Sequence, residues 1–286
     1  MTTAEEFAPA KVNLTLHVTG QRADGYHLLD SLVVFAGHQD RLTARPSRYL
    51  TIDVSGPFAA GVPCDDRNLV LRAAHVLRAR HGVQVGAALH LEKNLPHAAG
   101  IGSGSSDAAA ALRLLARVWN VPLPDSNDPL VLALGADVPV CLRAPAPTQM
   151  TGIGETLTDV PPLPSCAMVM VNPQVALPTG RVFAEMHSKT NPAMPPVPSG
   201  MNFRDFAAWL SQQRNDMQPA AAGIAPEIIA VLSRLRKTPG VEFAGMSGSG
   251  STCVALVADM DRAVSIAGAI QVSEMRWWVA PAPLLT

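Results

Sequence analysis

The chain has 286 residues, 22 Lys and Arg against 23 Asp and Glu, a formal net charge of -1 and 16% charged residues, where roughly 25% is usual for a soluble domain. So neutral a chain has no sequence-wide electrostatic reason to bind nucleic acid or an anionic membrane, and no run approaches the ~18 apolar residues of a membrane span. The opening Met-Thr-Thr-Ala-Glu-Glu lacks the basic and apolar regions of a signal peptide, and Cys64, Cys141, Cys166 and Cys253 form no CxxC pair. The expectation is a cytoplasmic protein with reduced, mainly buried thiols and no zinc site or disulfide frame.

In chain order, Val12, Leu14, Leu16 and Val18 alternate with Asn13, Thr15, His17 and Thr19, the period of a half-buried strand. A turn-rich stretch at 20–25 follows, then a second strand at 32–35. Residues 68–80 predict a helix with Leu69, Ala73 and Val76 on one face and Gly82 as its stop. Residues 87–92 alternate as a strand. After a loop at 94–104 comes the clearest helix, 105–120, with Ala108, Leu112, Leu115 and Trp119 as its buried stripe. Proline-rich passages at 144–147 and 161–164 suggest a division of the chain into 1–155 and 156–286. Beyond it, the patterns predict a strand at 167–172, helices at 203–214, 226–236 and 262–270, and strands at 241–246 and 252–258 around a glycine-serine turn. Residues 191–200 (NPAMPPVPSG) have no periodicity and read as an exposed, mobile loop. Strands and helices mixed in this order, with several antiparallel pairs, indicate an α+β fold.

Residues 96–111 read PHAAGIGSGSSDAAAA between a strand and a helix, the context in which a glycine-rich loop carries meaning. Gly100, Gly102 and Gly104 let the backbone approach a bulky anion. Ser103, Ser105 and Ser106 add hydroxyl donors, and the helix start offers unpaired N–H groups at its positive dipole end. Such a phosphate cradle needs little formal charge. It is not a Walker loop, because no Lys-Ser/Thr follows the last glycine. The same residues also fit an ordinary N-cap at Ser105 or Ser106 with Asp107 just beyond.

Other residues could do chemistry. Lys11, one of only four lysines (with Lys93, Lys189 and Lys237), stands at the entry to the first strand in APAKVNLTLHV. Asp137, in the small, apolar LGADVPV, either pairs with a cation, transfers a proton or caps a helix. Spacing alone does not bring the two together. Asp24-Gly25-Tyr26-His27 is either a structural turn or a platform of aromatic ring and imidazole for a base. GMSGSGST at 245–252 is a second glycine-serine loop, either a tight hairpin or a set of small residues brought against the first loop.

Taken in order, APAKVNLTLHVTGQRADGYH, LPHAAGIGSGSSDAAAAL, LGADVPV and MSGSGST resemble the kinases of the galactose, homoserine, mevalonate and phosphomevalonate superfamily, over about residues 7–258. TGQRADGYH followed by LLDSLVVF is similar to the branch acting on 4-diphosphocytidyl-2-C-methyl-D-erythritol, in the non-mevalonate route to isoprenoids. DRNLVLRAA, GIGE, LPTGRVF and Asn215-Asp216 are further echoes of it. The resemblance implies an N-terminal ribosomal-protein-like α+β domain and a C-terminal ferredoxin-like domain. It implies ATP with Mg²⁺, whose protein ligands the loop does not single out. The phosphates would lie on Pro96, His97, Ala98, Ala99, Gly100, Ile101, Gly102, Ser103, Gly104, Ser105 and Ser106, with Lys93 and Asn68 also at the nucleotide. Lys11 and Asp137 match the catalytic pair, Asp137 taking the proton of the 2-hydroxyl and Lys11 keeping that carboxylate ionised. Tyr26, His27 and Phe183 match the cytosine-binding positions, and Asn13 lies near the acceptor.

The family loop is usually richer in glycine, and this chain has Ala98 and Ser103 at two such places. Ala98 is expected there only with a negative φ. A homoserine or mevalonate kinase is the nearest rival, but neither substrate offers a base to the turn at 24–27. A catalytically silent nucleotide-binding protein on the same fold is disfavoured by retention of both Lys11 and Asp137. Monomer and homodimer both stay open.

Overall fold

The computed structural model describes residues 3–286. In chain order the elements are β1 (Ala4–Asn13), β2 (His17–Gln21), β3 (His27–Ser47), β4 (Thr51–Ser55), α1 (Leu69–Arg80), β5 (Gly86–Glu92), α2 (Ser103–Trp119), α3 (Pro129–Leu134) and α4 (Val138–Leu142). They continue with β6 (Thr148–Gly152), β7 (Thr156–Asp159), β8 (Ala167–Asn172), α5 (Thr179–Ala184), α6 (Phe203–Ser211), α7 (Gln218–Ile224), α8 (Glu227–Arg236), β9 (Phe243–Met246), β10 (Cys253–Val257), α9 (Met260–Ser273) and β11 (Trp278–Leu285). The chain forms two compact units that interleave along the sequence. One comprises the chain up to Ala10, Gln39–His97 and Gly102–Ala144; the other comprises Lys11–His38, Ala98–Ile101 and Pro145–Thr286.

In the first unit the later part of β3 pairs antiparallel with β5, Arg41 opposite Glu92 and Ser47 opposite Gly86, and β5 pairs parallel with β4. Helices α1 and α2 pack on each other. The Asn68 side chain caps α1 by accepting from the Val70 amide, and Gly82, at φ 60°, follows its end. The buried run Ala108–Ala109–Ala110–Ala111 makes one full turn of α2 thin on every side. Thin side chains permit close helix packing at little cost in side-chain entropy.

In the second unit β8 is flanked by β10 and β11, Val171 standing opposite Cys253 on one side and Val279 on the other, with β9 paired beyond β10. All six residues of β8 are buried, which is why Ala167–Val171 is a continuous apolar run and not an alternation. Val169, Val171, Ala255, Ile228, Leu232 and Ile270 belong to one core of this unit.

Three expectations change. The stretch 12–18 is not half-buried: Asn13, Thr15 and His17 are as buried as their apolar neighbours, and each finds a hydrogen-bond partner inside the second unit. A second difference is β11, which the proline-bearing sequence WVAPAPLL does not announce, since proline cannot donate to a ladder. The Leu284 amide donates to Cys166 O. Amides alternate in direction along a strand, so the missing donors of Pro281 and Pro283 fall on the edge away from β8.

The third difference is the segment 191–200. It has no regular structure, yet it is tied down. The Asn191 amide donates to Val18 O at 3.0 Å, and the Met194 amide to Asp30 Oδ2 at 3.0 Å. Arg214 donates to Pro192 O at 2.8 Å. Met194 and Val197 are buried, 5% and 7% exposed. The prolines remove backbone donors that would otherwise need partners, and the two apolar side chains anchor what remains. It is a packed strap.

Candidate active site

In the second unit, the start of the sequence motif is fixed by backbone and side chain together. The Lys11 amide donates to Ile101 O at 3.0 Å, and its buried ammonium donates to Asn13 Oδ1 at 2.9 Å. Asn13 Nδ2 donates to Ser31 Oγ at 2.7 Å, and the Ser31 hydroxyl donates in turn to Thr15 O. Sequence reasoning missed Ser31, which carries no motif of its own.

The glycine-serine segment after β9 is a hairpin and also a partner of the first loop, so both readings of it are met. Thr252 N donates to Ala99 O at 3.1 Å, and Ser247 Oγ donates to Gly100 O at 2.9 Å. Gly100 has φ +76°, and a Cβ there would come within 2.6 Å of Ser247 O and 2.7 Å of Gly250 O. Only glycine fits. Ala98 is a correction: its φ is +51°, the left-handed region that costs an L-residue about 1–2 kcal/mol.

His27 and Phe183 stack, ring centroids 4.1 Å apart and planes 8° from parallel. Burial first, and then the positive charge of Lys189, hold the His27 imidazole below its ordinary pKa, so it is neutral at pH 7. Its Nε2 is buried without a hydrogen-bond partner, an arrangement that costs free energy unless a ligand supplies the partner. Tyr26, beside it, is 59% exposed. Lys189 was not singled out by the sequence, because nothing local ties it to His27.

The first unit carries the remaining residues. Helix α2 begins after Gly102, at φ 57°, with no side chain capping it, so the N-cap reading at Ser105 or Ser106 does not hold. Ser103 donates to Pro96 O at 3.2 Å and Ser106 to Pro9 O at 2.7 Å. Of the three serines, Ser105 is the one whose hydroxyl is half-exposed and not directed at a carbonyl. His97 is exposed, while Ala99 and Ile101, in the second unit, are buried. The start of α2 thus presents uncapped amides at the positive end of a 17-residue helix, a geometry suited to anionic oxygens.

Lys93 is 2% exposed and lies between two buried carboxylates, Asp40 and Asp107, the latter at 2.7 Å. Asp40 also accepts from the amides of Asn94 and Leu95, at 2.6 and 2.8 Å. Asp107 accepts from Lys93 through Oδ2, and its Oδ1 has no partner. Burial opposes the charge on Lys93, but the two carboxylates outweigh it and hold the ammonium above the ordinary lysine pKa. Burial likewise pushes the Asp107 carboxyl up to about 8, against the attraction of Lys93 and with added repulsion from Asp40. Asp107 thus keeps its proton to higher pH than an ordinary aspartate. Asp137 occupies the N-cap position of α4, half-buried, but its side chain does not cap that helix.

Comparison with known proteins bears on this geometry. The model for the GHMP kinases N terminal domain matches residues 68–144, and that for the GHMP kinases C terminal domain matches residues 200–273. A homoserine kinase from Cytophaga hutchinsonii, at TM-score 0.69 and 15% identity over 99% of this chain and 95% of its own, shares the fold. The two domain matches define a GHMP kinase, an ATP-dependent small-molecule phosphotransferase. The chain is 52% identical to a 4-diphosphocytidyl-2-C-methyl-D-erythritol kinase of Cereibacter sphaeroides, over 98% of this chain and 99% of that protein. It is 53% identical to one of Dinoroseobacter shibae, over 97% and 94%. The crystal structure of a 4-(cytidine 5'-diphospho)-2C-methyl-D-erythritol kinase superposes with TM-score 0.79 at 32% identity, over 99% of both chains. The chain belongs to the 4-diphosphocytidyl-2-C-methyl-D-erythritol kinase family.

Proposed function

We propose that the protein transfers the γ-phosphoryl group of ATP to the 2-hydroxyl of 4-diphosphocytidyl-2-C-methyl-D-erythritol, releasing ADP. The observation that carries the choice of acceptor is the stacked His27–Phe183 pair with its orphaned Nε2. A neutral imidazole against an aromatic face offers a nucleobase both stacking and a hydrogen bond, and neither homoserine nor mevalonate has a base to fill it. Near-full-length identity with kinases of that name supports the same reading.

Asp137 takes the hydroxyl proton as the acceptor oxygen attacks the γ-phosphorus and the bond to the β-bridging oxygen breaks. Lys11, oriented by Asn13, keeps that carboxylate ionised and aligns the hydroxyl. Positioning and charge stabilisation are what phosphoryl transfer chiefly asks of a protein. The loop 96–106 and the α2 start receive the triphosphate, Asn68 stands at the nucleotide, and Lys93 acts there by holding Asp107 and the α2 start in place. Mg²⁺, bound with the triphosphate, supplies charge neutralisation. Among the described residues no cluster of three His, Cys, Asp or Glu side chains forms a metal cage, which suits an ion held largely by phosphates and water. Residues 1–155 are assigned to nucleotide binding and catalysis, and 156–286 to the ferredoxin-like domain. No helix among the described residues is long and apolar enough to cross a membrane, and a cytoplasmic location fits the substrates.

The test is ATP consumption by the purified chain with the cytidylyl acceptor, homoserine and mevalonate in parallel. Turnover with the cytidylyl compound alone is expected. Turnover with either of the others, or ATP binding without turnover on any, would overturn the reading.

A further inference from the structure

The hairpin 246–252 grips the backbone of the first glycine loop, and this grip sets where the loop's amides point. Thr252 N holds Ala99 O, and Ser247 Oγ holds Gly100 O. In a planar trans peptide the C=O and N–H point in opposite directions. Fixing those two carbonyls against the hairpin therefore turns the N–H groups of Gly100 and Ile101 away from it, side by side. The contact is also rigid. Gly248 has φ +56°, and a Cβ on it would lie 2.9 Å from Gly100 O, so backbone rests on backbone with no flexible side chain to absorb a shift.

One side chain holds the hairpin from outside. Asn215 Nδ2 donates to Met246 O at 2.8 Å and to Gly248 O at 2.9 Å, the two carbonyls flanking Ser247. Asn215 Oδ1 accepts from Met217 N at 3.0 Å, which fixes the sense of the amide. Its own backbone is pinned in turn: Leu16 N donates to Arg214 O and Asp216 N to Leu16 O, both at 2.8 Å.

We infer that Asn215 is a positioning residue for the nucleotide, acting through Ser247 and Gly248 on the amides of Gly100 and Ile101. The inference rests on the reading of residues 96–106 as the phosphate loop. Asn215→Asp isolates the donor. It keeps the shape and the acceptor for Met217 N, and puts an oxygen against two carbonyls. Expected is a rise of about tenfold or more in KM for ATP and a fall in kcat, with KM for the cytidylyl acceptor within about twofold of wild type. Ser247→Ala, which removes the hydroxyl that donates to Gly100 O and accepts from Asn13 N at 3.1 Å, gives a smaller rise in the same constant. It also tests the idea should Asn215→Asp not fold. The two changes combined fall short of the product of their separate effects, because they lie on one chain of contacts.

Equal rises in both KM values, a drop in Tm with unchanged kinetics well below Tm, or multiplicative combination of the two variants would each overturn the inference. Those results require an active wild type. A wild-type chain that fails to phosphorylate the cytidylyl acceptor refutes the proposed function instead, so the two failures are distinguishable.

Discussion

Replacing Lys93 by methionine should destabilise the protein severely. The side chain is 2% exposed, and those of Asp40 and Asp107 are 0% and 5% exposed, so no solvent is at hand to screen what the change leaves behind. Removing one partner of a buried ion pair costs about 3–5 kcal/mol, a large share of the 5–15 kcal/mol by which domains are usually stable. Asp107→Asn behaves differently. It leaves one ammonium with one carboxylate, and because the folded Asp107 carboxyl is raised to about 8, the variant should match wild type within about 1 kcal/mol near pH 4, where aspartate is protonated in both states.

The pH dependence follows with a definite sign. The folded state holds the Asp107 proton up to about pH 8, while an unfolded aspartate releases it near ~4. Between those limits the folded state binds more protons, so this group's contribution is fully present below about pH 4 and declines by up to about 1.4 kcal/mol per pH unit as pH rises towards 8. Urea unfolding of wild type, Lys93→Met and Asp107→Asn at pH 5, 6, 7 and 8 reads both effects. Asp107→Asn should gain on wild type as pH rises. A Lys93→Met variant within 1 kcal/mol of wild type, or parallel pH profiles for wild type and Asp107→Asn, would refute the reasoning.

Asp137→Asn should lower kcat about 10²–10⁴-fold with ATP affinity kept, the range for loss of a general base; calorimetric titration beside steady-state rates checks it, and near-normal turnover would remove Asp137 from that role. Phe183→Ala takes away one face of the stack with His27, and a stacked base is worth about 1–3 kcal/mol. KM for the cytidylyl acceptor should rise at least fivefold with KM for ATP unchanged, by about that same energy. Ala98→Gly relieves a φ of +51°; the ~1–2 kcal/mol of left-handed strain exceeds the ~0.5–1 kcal/mol entropy cost of glycine, so Tm should rise slightly, whereas Ala98→Val should lower it. The strap 191–200 should resist limited proteolysis in wild type and become a cleavage site in Met194→Ala, which empties a position only 5% exposed.

The sequence made much of the second unit legible in outline. A strand at 167–172 coincides with β8, and those around the second glycine loop lie within a residue or two of β9 and β10. Such elements are visible because burial repeats at short, fixed spacing. Proline hid β11, since the rule that excludes proline from paired strands holds only for the edge that must donate. Composition misled at 191–200: four prolines read as a mobile loop, but Met194 and Val197 find a hydrophobic seat that no spacing reveals.

The sequence by itself determined the glycine loop opening a helix, the turn with Tyr26 and His27, and the motif carrying Lys11 and Asn13. Each is a local pattern whose chemistry depends on residues a few positions apart. Tertiary structure alone decided that Asn215 and Ser247 brace Gly100, that Phe183 stacks on His27, and that Lys93 is enclosed by Asp40 and Asp107. Those partners stand from 14 to more than a hundred residues apart, and the strength of each contact depends on burial, which exists only once the chain has folded.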